Sequence, residues 1–574
     1  MISHNKAIAF SFVTIASTWI FCESATAFSN PALKIGIVQR FGEQPQDTLK
    51  IEALPGDRLT LKFPDQGQIK TLSADKVQFD IQLQPLPEPV VQDRVVLGVF
   101  RSFESAETEA LNYRTQGVQV EVAQPDKWQV WGKRDRYATP KQRTQLLEAL
   151  KAKGNTVAFL DQKRPDKKPM LSWVINGYRY RRDAVTITAG KQVFMVGKTR
   201  YGGTLNFQPN AYGTYTLVNQ VSIETYLRGV VPYEIGPSAP RTSIQAQTVI
   251  ARTYALRNLR RFKIDDYELC ADTQCQVYKG LSGAKPRVDQ AIASTAGQVL
   301  TYKGELVDAL YSSTTGGVTA SFTEVWEGDA RPYLQTKIDA VPNQVWDLKT
   351  RSLADPQNFR AFINLKQGFN EATWPTFRWR QEPSLGEMNE ILRKFLMQKQ
   401  HPLAGFGTIK RLDITERSHG GRVQKLMVTT DIGTVELVKD EIVQGIKGAK
   451  SLLFYVEPMF ENKPPVAGTD ASAPAEKILK GYRFMGGGWG HAVGLSQTGA
   501  QRLSQLGWSA PRILEFYYPG TTLEPLTNTT IRWREPSIPE PVADLVEKHE
   551  GVNFLGIKLP KIDWQAFWES LPFT

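Results

Sequence analysis

Between Leu33 and Leu86 apolar and polar residues alternate, as in Leu59-Thr60-Leu61-Lys62-Phe63, with turn formers such as Pro55-Gly56-Asp57 between the runs. A period of two marks strands with one buried face, so a small β-rich module is expected over residues 33–90. The cluster Pro85-Leu86-Pro87-Glu88-Pro89 then reads as a linker. From Asp93 to Asp161 a strand-helix pattern occurs twice. Val95–Phe100 predicts a strand, Ser105–Arg114 a helix and Gly117–Val122 a strand; Trp128–Gly132 then repeats the strand and Pro140–Lys153 the helix. The order is βαββαβ over 93–161. From Ser172 short strand runs return, among them Val193-Phe194-Met195-Val196 and Tyr215-Thr216-Leu217-Val218, punctuated by glycine and asparagine. One long helix interrupts them between Thr242 and Phe262, opened by Pro240 and carrying Ile244, Val249, Ile250, Ala255 and Leu259 at roughly helical spacing. A large β-rich domain with this helix packed on it is expected over 172–525. Within it, the Pro-, Ala-, Ser- and Gly-rich stretch 462–475 reads as a flexible loop, and 526–574 as a C-terminal tail with Trp533, Trp564 and Trp568. The fold class expected is α+β, multidomain.

The first residues follow a different rule. Lys6, an apolar stretch from Ala7 to Phe21 and the small residues Ser24-Ala25-Thr26-Ala27 form a secretory signal over 1–27 with cleavage after Ala27. No later segment has enough consecutive apolar residues to span a bilayer, so an exported protein of the periplasm or cell wall, without a stable membrane span after cleavage, is expected. The formal charge of +12 would suit an anionic partner, but the lysines and arginines are scattered. Export excludes nucleic acid and leaves anionic wall polymers or membrane surfaces.

Four blocks carry candidate chemistry. The first runs from Val221 through Tyr226, Gly229 and Pro232 to Glu234, and continues into a helix bearing Gln245, Gln247, Arg252 and Tyr254. It reads as a strand, a proline-marked turn and a helix, which puts Glu234 on a connection where a carboxylate can serve as general acid or base. The second is Cys270-Ala-Asp-Thr-Gln-Cys275-Gln276-Val-Tyr278-Lys-Gly280, and the third Tyr311-Ser-Ser313-Thr-Thr-Gly316-Gly317, followed by Trp326. The fourth is Met485-Gly-Gly-Gly-Trp489-Gly490-His491-Ala-Val-Gly494-Leu-Ser496-Gln497-Thr-Gly499-Ala500. So many glycines beside Trp, His, Ser and Gln predict tight turns that present polar groups to a groove.

Together, in this order, the blocks resemble the SpoIID/LytB family, named for the stage II sporulation protein D and the amidase enhancer. The resemblance covers about Ser172 to Pro525. It implies a substrate, denuded peptidoglycan glycan, cleaved by lytic transglycosylation in the active members, with the catalytic glutamate at Glu234. Such an enzyme uses the sugar's own 6-hydroxyl in place of water, so one carboxyl group can donate and then accept the proton. Substrate contacts are expected at Gln247, Arg252, Gln276, Tyr278, Ser313, Trp489, His491, Ser496 and Gln497. His491 is read either as shaping the groove or as a structural histidine beneath the glycine turns. The segment 93–161, with its Leu97-Gly98-Val99-Phe100 start and a glycine after each helix, resembles the SPOR domain, which binds peptide-stripped glycan.

The chain departs from the family at Gln245, where a lysine is usual, and at Ala492, where glycine is usual after the histidine. Loss of the lysine removes a charge that could act on the glutamate. Two readings therefore stand: a lytic transglycosylase, or a non-catalytic glycan binder that stimulates an N-acetylmuramoyl-L-alanine amidase. Some members bind zinc near the cysteine element. Here no histidine lies close in sequence, and two thiolates make an incomplete site, so a Cys270–Cys275 disulfide, no metal and no cofactor are expected.

Overall fold

The computed structural model describes residues 30–155, 157–342, 345–462 and 477–536. The expected signal with Cys22 and Ala27, the loop beyond Asn462 and the tail with Trp564 and Trp568 lie outside the described residues. The fold is α+β and multidomain.

The segment 33–90 does not close a sheet of its own. Its strands are shared between two sheets with strands from 167–222. In the first sheet Ala32–Phe41 pairs antiparallel with Tyr215–Ser222, and Leu59–Asp65 with Val185–Ala189. In the second, Lys76–Pro85 pairs with Lys167–Ile175, and Thr48–Ala53 with Val193–Val196. Alternation gives each strand one apolar face, and the two faces meet through Phe63 against Trp173 at 5.1 Å and Phe207 against Phe79 at 4.8 Å between ring centres. Alternation specifies which face is buried but not which strand lies next door, so partners as far apart as Ala32 and Ser222 were invisible in the local pattern.

Residues 94–161 are inserted between these halves. They carry a strand Arg94–Phe100, helix α1 (Phe103–Thr115), strands Val120–Ala123 and Trp128–Gly132, helix α2 (Pro140–Ala152) and a strand Phe159–Asp161. The element order is the expected one. The four strands form one antiparallel sheet in which the first strand lies between the third and the fourth.

The strand Tyr215–Ser222 leads into helix α3 (Ile223–Glu234), and after a short turn into helix α4 (Arg241–Arg257). The sequence reading placed Glu234 on a turn; it is the last residue of α3. Tyr226, Leu227, Val230 and Val231 are buried on one side at helical spacing, and Pro232 removes only the amide that would reach Arg228 one turn back. At Gly229 the helix runs so close to the second block that a Cβ would come within 2.5 Å of the Gly280 carbonyl and the Tyr278 ring. The remainder, 320–494, holds a three-stranded sheet of Ile409–Arg417, Val423–Thr430 and Thr434–Val438. A second holds Arg378–Gln381, Lys477–Gly487 and Phe454–Asn462. No helix among the described residues is long and apolar enough to cross a membrane.

Candidate functional site

The four blocks meet at the end of α3. Cys270 and Cys275 are joined in a disulfide, which closes a short loop and delivers Gln276 and Val277 against Glu234. The Val277 amide donates to Glu234 Oε1 at 2.8 Å. The third and fourth blocks are brought together by a short parallel pairing of Tyr311–Ser312 with Leu495–Ser496, so that Gln497 Nε2 donates to Glu234 Oε2 at 3.4 Å. The Tyr311 hydroxyl is a further donor to the same carboxyl.

Behind Tyr311 the hydrogen bonds run in one direction. The Tyr226 hydroxyl donates to Gln276 Oε1 at 3.2 Å, and Gln276 Nε2 donates to the Tyr311 hydroxyl at 3.1 Å, which leaves the Tyr311 proton for Glu234. Burial holds the Tyr226 and Tyr311 phenols far above their ordinary value, so both stay protonated. Burial also raises the Glu234 carboxyl above the usual carboxylate range, although the Val277 amide, Tyr311 and Gln497 pull the other way. A carboxyl whose proton affinity is raised by burial and which still has donors for its charged form suits a group that gives and then retakes a proton.

Glu234 lines a cleft of about 420 Å³, within the range of small-ligand sites. Trp489 stands at its rim, nearly half exposed, with the Lys450 ammonium 5.0 Å from its ring centre. His491 lies deeper, its ring 5.1 Å from that of Trp326, and its Nδ1 accepts from the Val493 amide at 3.0 Å. Burial depresses its imidazole to about 4, so it is neutral at physiological pH and shapes the wall rather than carrying charge. The glycines of the fourth block are required by close approach. Gly488 has φ +79°, and a Cβ there would sit 2.8 Å from the backbone of Thr315 and Gly316. Ala492 occupies a left-handed position (φ 64°), which explains why glycine suits it.

Of the expected contact residues, Ser313, Trp489 and His491 line the cleft, while Gln276 and Gln497 support Glu234. Four others are sealed in the packing and cannot touch a ligand. Arg252 is fully buried in a two-pronged ion pair with Glu224 at 2.7 and 2.9 Å. Gln247 is fully buried in α4. The Tyr278 hydroxyl donates to Asn219 at 2.8 Å, and Ser496 caps the helix Gln497–Gln505 through the Gly499 amide at 3.0 Å. These residues shape the scaffold because α4 is enclosed on nearly every side. Gln245 bonds Ser294 on an exposed face at 2.9 Å and does not line the cleft.

The sequence reading missed several wall residues. Arg101, Ser102 and Glu104 come from the inserted module, and Asp440 and Lys450 from a distant segment. Their local sequence carries no signal; the docking of α1 against Arg260–Phe262, just past α4, puts the first three here, and tertiary packing brings in the other two. No group of three or more His, Cys, Asp and Glu side chains able to hold a metal occurs among the described residues.

A family model described as Stage II sporulation protein matches residues 211–302, the stretch that holds α3, α4 and the disulfide loop. One described as a domain of unknown function (DUF8618) matches residues 320–494. The chain is 30% identical over 303 residues to the amidase enhancer of Bacillus subtilis (strain 168), covering 52% of this chain and 40% of that protein. It is 28% identical over 177 residues to the stage II sporulation protein D of the same organism, covering 28% of this chain and 50% of that protein. To the protein of that name from Bacillus amyloliquefaciens it is 24% identical over 321 residues, covering 53% of this chain and 75% of that protein. The chain thus spans less than half the length of the amidase enhancer it matches.

Proposed function

Because the chain belongs to the SpoIID/LytB family, we propose that it acts on the cell wall as a lytic transglycosylase-like enzyme, cutting peptidoglycan glycan from which the peptides have been removed. Glu234 is the general acid and base. The observation that carries the reading is the Glu234 carboxyl, its proton affinity raised by burial, lining an open cleft and held by Val277, Gln497 and the Tyr226–Gln276–Tyr311 chain. It gives its proton to the departing glycosidic oxygen. The carboxylate so formed, stabilised by its three donors, takes the proton of the muramic acid 6-hydroxyl as that oxygen closes the 1,6-anhydro ring. The Trp489 face offers a platform for a sugar ring.

The remaining parts of the proposal follow from this. The 93–161 module contributes a SPOR-like grip on stripped strands, the 1–27 signal exports the chain, and an oxidising compartment is where the Cys270–Cys275 bond persists. A second reading, a non-catalytic enhancer of an N-acetylmuramoyl-L-alanine amidase, is favoured by the 30% identity to a protein named for that role.

Mass spectrometry of purified stripped strands after incubation decides between them. Wild type is expected to release 1,6-anhydro ends; no such ends, together with faster release of peptides by an added amidase, would replace the enzyme reading by the second.

A further inference from the structure

The Glu234 cleft is not built by one domain. Its floor comes from α3, α4 and the disulfide loop, and part of its wall from the start of α1 in the inserted module. That wall is firmly docked. Glu104 forms an ion pair with Arg261, and the Glu107 carboxylate accepts from Arg260 Nη2 at 2.6 Å. The Trp128 ring packs between Phe103 and Phe262 at 5.2 and 5.0 Å, and its indole N–H donates to Gln274 at 3.1 Å. The module therefore presents a fixed surface to whatever enters.

The charges on that surface do not cancel. Glu104 and Arg261 neutralise each other, but Arg101 forms no ion pair with a described residue. Its Nη1 donates to the backbone carbonyl of Asp440 at 3.3 Å, and the residue lines the cleft. Lys450, also in the cleft lining, likewise forms no ion pair with a described residue, its ammonium lying 5.0 Å from the Trp489 ring centre. The Asp440 carboxyl is buried, accepts from the Ser102 hydroxyl at 3.3 Å, and is pushed up to about 7, first by that burial. It therefore carries little charge against Arg101 in mildly acidic surroundings.

A glycan strand stripped of peptides differs chemically from an intact one at one group. Each muramic acid then ends in a free lactyl carboxylate, where the intact strand has a neutral amide continuing into peptide. We infer that Arg101, supplied by the inserted module, is the residue of the Glu234 cleft that reads this carboxylate, with Lys450 as a second cation at the rim. The inference rests on the glycan reading above and adds to it the feature that distinguishes stripped from intact strands. Arginine suits the task because its planar fork meets a carboxylate with two parallel hydrogen bonds, and a strand still bearing its peptide offers that fork neither charge nor room.

The test uses full-length protein and two forms of one strand preparation: stripped strands, and the same strands with their lactyl carboxylates converted to methylamides by carbodiimide and methylamine. Wild type is expected to bind the carboxylate form about 10-fold more tightly, the scale of one charge-assisted contact in a partly solvated site. Arg101→Gln should bind the methylamide form as wild type does and lose the preference. Arg101→Lys should keep part of it, and Lys450→Gln should weaken it less than Arg101→Gln. A preference that survives in Arg101→Gln, or a wild type that binds both forms equally, overturns the inference while leaving the glycan reading intact. Binding of neither form removes both.

Discussion

Two acidic sites in this molecule are held by neighbouring residues that turn to opposite sides. Gln497 reaches outward to Glu234 in the cleft, while Ser496 beside it donates inward to Glu371. Glu371 is fully buried and accepts from the amides of Thr315, Gly316 and Gly317 at 2.6, 2.9 and 3.3 Å, and from the Thr315 hydroxyl at 3.0 Å. Asp339 lies against the same Thr315 hydroxyl at 3.2 Å and takes Asn370 and Tyr517 at 2.8 and 3.0 Å. The carbonyls of Thr315 and Val318, in turn, receive the fully buried Arg422 guanidinium at 2.9 and 2.7 Å. Glu234 has fewer partners and an open side. Burial raises its carboxyl, and burial followed by the nearby Glu371 raises that of Asp339, so a shifted proton affinity does not by itself tell a catalyst from a brace. What separates them is access: a sealed acid with its acceptor sites filled fixes a loop, whereas an acid with free space beside it can exchange a proton with a substrate.

The largest expected effect breaks the sealed site. Glu371→Leu leaves the Thr315 and Gly316 amides and the Ser496 hydroxyl proton without their acceptor, each worth about 1–3 kcal/mol when left unsatisfied, and takes one partner from the Gly317 amide and the Thr315 hydroxyl, so urea titration should show much of the domain's stability gone. A loss below about 1 kcal/mol would mean that the network holds nothing together. The open site should answer in the opposite way. Glu234→Gln is expected to leave the urea midpoint nearly unchanged and to lower the rate of anhydro-end formation roughly 10²–10⁴-fold, the scale of a general acid–base group. Equal rates for the two proteins would remove Glu234 from the mechanism.

A smaller change sharpens the contrast within the cleft. Tyr311→Phe removes a donor to the charged form of Glu234, so cleavage should fall about 10-fold and the alkaline limb of the rate profile should move to higher pH. A limb that moves down would reverse the assigned direction of that hydrogen bond. The mildest effect is on stability against pH. Asp339 and Glu234 both have folded-state affinities above their unfolded values, so their contribution is complete below the ordinary carboxylate range. It is lost as pH rises through the raised values. Unfolding free energies measured from pH 5 to 9 should decline with pH, and Asp339→Asn should flatten the decline; an unchanged slope would place the cause elsewhere.

Much of the fold was legible because it rests on local pattern. The βαββαβ order of the inserted module follows from alternation, helical spacing and the glycines past each helix, and the five elements given ranges lie close to where periodicity puts them. The Cys270–Cys275 bond followed from the cysteine count and spacing. The helix carrying Glu234 was harder, since Pro232 argues for a turn and only the burial of Tyr226, Val230 and Val231 on one side overrides it. The motif residues misled in a particular way. Arg252 stands two residues from Tyr254 in one helical motif, yet Tyr254 lines the cleft while Arg252 pairs with Glu224 in the interior, because two steps of about 100° each turn their side chains to opposite sides of the helix.

By itself the sequence determined which residue types could do chemistry and on which elements they ride: a lone glutamate at the end of a motif, glycines that let the backbones of Thr315 and Gly488 touch, and two cysteines close enough to join. It also set the strands, since alternation is a local property of each run. Only the tertiary structure decided that the strands of 32–85 find their partners beyond residue 167, and that Arg101 and Asp440, 339 positions apart, face the same cleft as Glu234. The reason is physical: periodicity records which side of an element avoids water, and the choice among the many apolar sides it could meet is made by shape and charge complementarity that no single stretch of chain contains.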